Sequence, residues 1–319
     1  MKIAITCRDF SSYDRRALRM LEEAGLEIAD RSGLGFGSAA APEAVAAAVG
    51  DADLLLLGLE PCSEEVLSRC PNLKMVSRRG VGYDNVDLEA CRRRRITVAR
   101  ALGGVEGAVA EHVLSYILYF ARRIDQQNAD MQQHSWKRIL MPGAKNHTLG
   151  LIGFGGIGKE VAKRAVPFGM NVIYYCRHPR AEWGEEYGVS YRPLDSLLSE
   201  SDYVALCLPL TGETEGMCGE AFFAKMKRGS ILINIARGGI VVDEALKAAV
   251  LSGHLAGAAV DAFRKEPCTN SPLAGVPGIV LTPHTAPYTQ ENFGELNVIA
   301  VQNVLDFLRG KLDDKYRLA

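Results

Sequence analysis

Short apolar runs alternate with helical-period stretches from the first residues onward. Residues 3–5, 26–28, 54–57, 74–77 and 96–98 have the length and composition of buried strands, whereas residues 13–24, 42–49, 63–69 and 87–93 space their apolar side chains along one helical face. Strands that alternate with helices predict a parallel sheet covered on both faces, because each crossover helix must lie back on the sheet. The rhythm breaks after Ala99. Gly103 and Gly104 precede a helical pattern over about residues 107–133, which predicts one long helix connecting two domains.

A second alternating series follows, with strand-like runs at residues 149–152, 172–175, 203–206, 231–234, 258–260 and 279–281 and helical patterns between most of them. A last amphipathic segment, residues 291–308, carries an apolar stripe of Val298, Val301, Val304, Leu305 and Leu308 and is too short to fold alone. The predicted fold class is therefore α/β with two parallel-sheet units. A length of 319 residues agrees, since it exceeds the size at which one hydrophobic core stops growing.

Charge narrows the partners. A formal net charge of -1, with 24% charged and 48% hydrophobic residues, gives no global attraction to nucleic acid or an anionic membrane, so a small molecule is the expected partner. Arg92, Arg93, Arg94 and Arg95 end a helical pattern and read as a solvated helix terminus. The eight cysteines are scattered, with no C-x-x-C pair and no histidine at zinc-ligand spacing, so reduced thiols and no metal are expected. The opening residues lack a charged leader and an apolar h-region, and no apolar run reaches spanning length, so the expected location is cytoplasmic.

Gly153-Phe154-Gly155-Gly156-Ile157-Gly158 joins a strand-like run to a helical one, the context in which a G-x-G-x-x-G string binds a dinucleotide. Gly153 permits the tight turn, Gly155 lets the backbone approach a pyrophosphate, and Gly158 lets helix pack on strand. An NAD site usually places an acid at the end of the next strand to take the ribose 2′-hydroxyl. Here that place reads Cys176-Arg177-His178-Pro179-Arg180, and Arg177 with Arg180 suits a 2′-phosphate, favouring NADP with NAD as the alternative.

Three later segments bring the chemistry: Asn234 to Gly239 with Arg237, Val260 to Pro267 with Asp261 and Glu266, and Thr282 to Thr285 with His284. Each follows a strand-like run, and ligands of open α/β sheets bind outside the carboxyl ends of the strands. With these segments, Arg78-Arg79-Gly80-Val81-Gly82-Tyr83-Asp84-Asn85, Val109-Ala110-Glu111 and Leu208-Pro209, the chain resembles the D-isomer-specific 2-hydroxyacid dehydrogenase family over nearly its whole length.

The resemblance implies that His284 is the proton donor, Glu266 its carboxylate partner and Arg237 the side chain that grips and polarises the 2-oxo acid. Each role is chemically sensible. Histidine titrates nearest neutral pH, a carboxylate favours its protonated form, and a guanidinium binds a carboxylate bidentately. It further implies substrate contacts at Val81, Gly82 and Arg78. For the cofactor it implies pyrophosphate contacts at Gly156 and Ile157, Pro209 beside the adenosine, and Ala236 and Asp261 near the nicotinamide. The alternative reading of Asp261 is an ordinary cap or turn acid.

The chain departs from the family in three places. Val105 and Ala108 stand where polar residues are common, Thr285-Ala286-Pro287-Tyr288 replaces a Gly-rich continuation, and the acidic ribose residue is missing. The Cys-Arg-His-Pro-Arg string is similar to that of NADPH-using glyoxylate/hydroxypyruvate reductases, the favoured assignment. Arg78 and Trp136-Lys137-Arg138 resemble phosphate-side cations of D-3-phosphoglycerate dehydrogenases, although Leu57-Gly58-Leu59-Glu60 lacks an arginine those enzymes often carry. A dinucleotide-sensing corepressor-like scaffold is the alternative outside enzymology. The expected domains are a flavodoxin-like substrate domain over 1–99 and 288–319 and a Rossmann-type cofactor domain over 100–287. They are expected to close on the substrate within a homodimer that uses the long helix and its following arm.

Overall fold

A computed structural model describes residues 1–319, and the chain forms two compact units: Met1–Val105 with Tyr288–Ala319, and Glu106–Pro287. The first unit begins β1 (Lys2–Ile5), α1 (Arg16–Glu23), β2 (Glu27–Asp30), α2 (Pro42–Val49), β3 (Leu54–Leu57), α3 (Glu64–Ser68), β4 (Met75–Arg78), α4 (Leu88–Arg93) and β5 (Thr97–Arg100). The second contains α5 (Glu106–Arg122), α6 (Ile124–Gln132), β6 (Thr148–Ile152), α7 (Gly156–Ala165), β7 (Asn171–Tyr175), α8 (Glu182–Tyr187), β8 (Val189–Tyr191), α9 (Leu194–Glu200), β9 (Tyr203–Leu206), α10 (Glu220–Lys225), β10 (Ile231–Asn234), α11 (Asp243–Leu251), β11 (Gly257–Val260) and β12 (Ile279–Leu281). The closing helix α12 (Gln290–Leu308) returns to the first unit.

In the first unit the strands are all parallel in the order β2-β1-β3-β4-β5, the flavodoxin-like winding. Its strands are apolar on both faces because helices cover both. Leu55 and Leu57 join Val45, Val49 and Leu67 on one side. Leu54 and Leu56 join Leu21, Leu296, Val301 and Val304 on the other, so the stripe read in α12 is a core face from Val298 to Leu305, while Leu308 is exposed. Truncating one of these fully buried leucines to alanine costs about 2–5 kcal/mol, a large part of a domain's stability. The chain end covers the β5 edge: Leu318 N–H donates to Val98 O at 2.8 Å and Val98 N–H donates to Ala319 O at 3.0 Å.

The second unit holds a seven-stranded parallel sheet, β12-β11-β10-β9-β6-β7-β8, the doubly wound Rossmann order with its switch point between β6 and β9. The candidate cofactor and catalytic residues of this unit all lie at the carboxyl ends of these strands, whereas Trp136, Lys137 and Arg138 follow α6.

Two elements differ from the pattern-based reading. The expected single helix over 107–133 is two, because Arg123 adopts a left-handed conformation, φ 43° and ψ 46°, between α5 and α6. The apolar face that buries eight α5 side chains stops at Ala121, and α6 buries none, so no packing continues the helix axis. The seventh strand, β8, was not legible because it has three residues and buries only Val189.

Candidate active site

The turn after β6 is built as its glycines require. Gly153 has φ +99°, and a Cβ there would strike the Cys207 carbonyl. A Cβ on Gly158 would lie 2.5 Å from Gly153 O, inside the packing of α7 on β6. Gly155 precedes the first turn of α7, is exposed, and faces open space. Gly156 is exposed and Ile157 half-buried in that first turn. The turn thus presents bare backbone and free helix N–H groups toward solvent, a fit for a pyrophosphate.

Beyond β7 the basic loop is anchored from beneath. Phe154 stacks on Tyr174 with centroids 4.3 Å apart, and the Tyr174 hydroxyl donates to Arg180 O at 3.3 Å. Neither arginine stands alone. Arg177 pairs with Glu213 at 3.3 Å, reaching the loop that follows β9, and Arg180 pairs with Glu182 at 3.9 Å while its guanidinium lies 5.6 Å from the Trp183 ring. All four charged side chains are mostly exposed, so these pairs exchange readily with another anion. Pro209 is exposed on the same β9 loop, and its carbonyl accepts from Thr214 Oγ1 at 2.8 Å.

His284, Glu266 and Arg237 converge. His284 Nδ1 lies 2.8 Å from Glu266 Oε2, while Glu266 Oε1 accepts from Phe263 N–H at 2.9 Å. Burial pushes the Glu266 carboxyl up, but the hydrogen bonds from His284 and Phe263 and the charges of His284 and Arg237 outweigh it, leaving Glu266 below its usual range. A carboxylate only accepts, so Nδ1–H is the donor of this bond and Nε2 is the ring nitrogen left outside it. Arg237 follows β10 in extended backbone and turns one guanidinium nitrogen to Ala236 O at 2.8 Å. Ala236 is buried, with its N–H on Asn234 Oδ1 at 3.1 Å.

Asp261 is 1% exposed, and the turn bearing His284 folds around its carboxylate. Oδ1 accepts from Thr282 Oγ1 at 2.5 Å and Thr285 N–H at 2.8 Å, and Oδ2 accepts from Ala286 N–H at 2.9 Å. Thr282 also contacts the Tyr116 hydroxyl, which lies 2.9 Å from His112 Nε2. Tyr116 and His112 carry no motif signal, and Thr282 opens the His284 segment without a role of its own being legible there. Tyr116 and Thr282 are 166 positions apart, and Tyr116 reads simply as one of the apolar positions of a helix.

In the first unit, Arg78 folds back to donate to Arg79 O at 2.8 Å, and Gly80 turns the chain at φ +136°. Val81 and Gly82 line the loop after that turn, and Arg100 donates to Val81 O at 3.1 Å while lying over Tyr83. Arg79 is 9% exposed, packs 4.5 Å from the Phe293 ring centroid and reaches Asn297 Oδ1 at 3.3 Å. Arg8 donates to the Tyr288 hydroxyl at 3.0 Å.

Residues 114–286 match the family model described as D-isomer specific 2-hydroxyacid dehydrogenase, NAD binding domain. The chain is 37% identical over 268 residues to a glyoxylate reductase of Thermococcus litoralis, covering 81% of each. The chain belongs to the D-isomer specific 2-hydroxyacid dehydrogenases. As a member it is an oxidoreductase acting on a CH–OH group of a small 2-hydroxy or 2-oxo acid, with a nicotinamide dinucleotide-binding domain. It is also 39% identical over 248 residues to a D-3-phosphoglycerate dehydrogenase of Mycobacterium bovis, a match spanning 77% of this chain and 47% of that one. The structure of the TT0316 protein from Thermus thermophilus superposes with a TM-score of 0.86 at 35% identity, covering both chains fully. No helix is long and apolar enough to cross a membrane.

Proposed function

We propose that the chain reduces a small 2-oxo acid of the glyoxylate or hydroxypyruvate kind to the D-2-hydroxy acid, with NADPH as preferred cofactor. The observation that carries this reading is the 2.8 Å hydrogen bond from His284 Nδ1 to Glu266 Oε2, on loops leaving β11 and β12. When bound, the cofactor supplies the hydride. His284 Nε2 donates the proton that neutralises the forming alkoxide, and Glu266 fixes the tautomer and orientation of the ring. Arg237 grips the substrate carboxylate and polarises its carbonyl, and the backbone N–H groups of Val81 and Gly82 bind carboxylate oxygen.

Gly153, Gly155 and Gly158 shape the pyrophosphate turn, and the N–H groups of Gly156 and Ile157 take the phosphate oxygens. Pro209 packs by the adenosine and Ala236 by the nicotinamide. The NADPH preference rests on Arg177 and Arg180 with no acid at the end of β7. A 2′-phosphate takes Arg177 from Glu213 and Arg180 from Glu182, while NADH lacks the group that would do so.

A homodimer is proposed through α6 and the arm after it. Ile124 is 67% exposed, Trp136 75% and Leu140 100%, apolar side chains that packing against a second copy would remove from water.

One observation favours phosphoglycerate dehydrogenase chemistry as a second reading. Arg8, Arg79 and Arg100, at the carboxyl ends of β1, β4 and β5, all hydrogen-bond neutral oxygens. A rim of cations with neutral partners suits a substrate bearing a second anionic group. Initial rates on glyoxylate, hydroxypyruvate, pyruvate and 3-phosphohydroxypyruvate, each with NADPH and NADH, separate the readings. Highest kcat/KM on 3-phosphohydroxypyruvate overturns the first, and equal use of NADH overturns the cofactor preference.

A further inference from the structure

The turn that carries His284 is strained and lightly held by its own backbone. His284 has φ +55°, outside the range a β-carbon residue prefers, and its N–H reaches only Thr282 O at 2.9 Å. Such a conformation persists where neighbouring groups over-determine it. Here Asp261 does so from both sides of the histidine, through Thr282 Oγ1 before it and Thr285 and Ala286 N–H after it.

The donors and acceptors then run in one direction out of that carboxylate. Thr282 spends its hydroxyl hydrogen on Asp261, so its oxygen accepts from the Tyr116 hydroxyl. The Tyr116 oxygen in turn accepts from His112 with Nε2 protonated, at 2.9 Å. Each link polarises the next toward the buried charge, which strengthens the chain beyond its separate bonds. His112 Nε2 also stands 3.5 Å from Thr282 Oγ1 and 4.0 Å from Asp261 Oδ1. Burial keeps the Tyr116 phenol protonated by pushing it far above its usual range, and burial lowers His112 against the pull of Asp261. Tyr116 is 4% exposed on α5, a helix with eight buried side chains, so the far end of the chain is fixed to a rigid element.

We propose that His112, Tyr116, Thr282 and Asp261 form a polar strut from α5 to the catalytic turn, and that Tyr116 and Thr282 are positioning residues for proton transfer by His284. This gives the Asp261 carboxylate a structural task in the turn, where its two oxygens hold three donors. The proposal rests on the reading of His284 as the proton donor. Hydride transfer needs the donor nitrogen in line with the carbonyl oxygen, and a displacement of about 1 Å costs up to about 10²-fold in rate.

The test compares Tyr116→Phe, Thr282→Val and Thr282→Ser with wild type, measuring kcat, the solvent deuterium isotope effect on kcat, and the dissociation constant of NADPH by fluorescence. Thr282→Val should lower kcat by about 10-fold or more and Tyr116→Phe by less, with cofactor affinity unchanged and a larger isotope effect as proton transfer becomes limiting. Thr282→Ser, which keeps the hydroxyl, should restore the wild-type values. The strut is overturned if Tyr116→Phe and Thr282→Val keep wild-type kcat, or if kcat and cofactor affinity fall together with the isotope effect unmoved. Failure of the underlying reading is seen separately, as turnover retained by His284→Ala.

Discussion

At the carboxyl edge of the seven-stranded sheet the charged groups face one another: His284 on Glu266, Arg177 on Glu213, and Asp261 enclosed by three donors. At the same edge of the five-stranded sheet, Arg8, Arg79 and Arg100 rest on a hydroxyl, an amide and a backbone carbonyl. An acid on the loop after β3, Glu60, is fully buried and accepts from the Thr6 hydroxyl and the Gly58 N–H. Two parallel sheets with the same winding rule therefore carry opposite electrostatic designs. Paired charges hold the His284 ring in one orientation, which is the geometry the proposed proton transfer needs. Cations with neutral partners leave their field intact, which is what drawing in an anion needs.

The sharpest way to break this contrast is His284→Ala. It should lower kcat by about 10²–10⁴-fold, the usual value of a general acid, while NADPH affinity stays near wild type. Near-normal turnover would end the assignment of the catalytic edge.

Next in size is neutralising Arg177 and Arg180 together. Lost charge-assisted hydrogen bonds should raise the NADPH KM by about 10–100-fold and leave the NADH KM close to wild type. Equal changes for both cofactors would remove the basis for NADP preference. Arg8→Gln probes the other rim. If that rim reads a second anionic group, kcat/KM for 3-phosphohydroxypyruvate should fall about 10-fold further than that for glyoxylate, and parallel loss would show that the rim does not discriminate.

Smaller effects sharpen the picture of paired charges. Glu213→Gln frees Arg177 from an exposed pair and should tighten NADPH by about two- to fivefold with no gain for NADH, measured by titration. Glu266→Gln tests the depressed carboxyl. Because its folded value lies below the ordinary 4.5, the stability it contributes is complete above that pH and disappears as pH falls through the folded value. Melting temperatures of wild type and Glu266→Gln should therefore differ at neutral pH and converge in acid; a constant gap would show that the charge contributes nothing.

Much of the fold was legible along the chain because parallel strands buried on two faces are continuous apolar runs, and the crossover helices between them keep a 3.6 period. The gathering of Arg237, Glu266 and His284 at one sheet edge was legible too, since each follows a strand end at which this architecture exposes ligand-binding loops. What failed to show had no local mark. The break at Arg123 has no Gly or Pro to announce it, and β8 is too short to form a pattern.

The sequence by itself determined the two winding units, the glycine turn after β6 and the order of the segments that carry Arg237, Glu266 and His284, because those depend on periodicity and on residues needed within a few positions of one another. Only the tertiary structure decided that Arg177 meets Glu213 and that Tyr116 on α5 meets Thr282 beyond β12. A hydrogen bond between residues 166 positions apart obeys no local rule. It exists because separate strands and helices, each placed by its own burial, bring two hydroxyl groups to the same point beside a buried carboxylate.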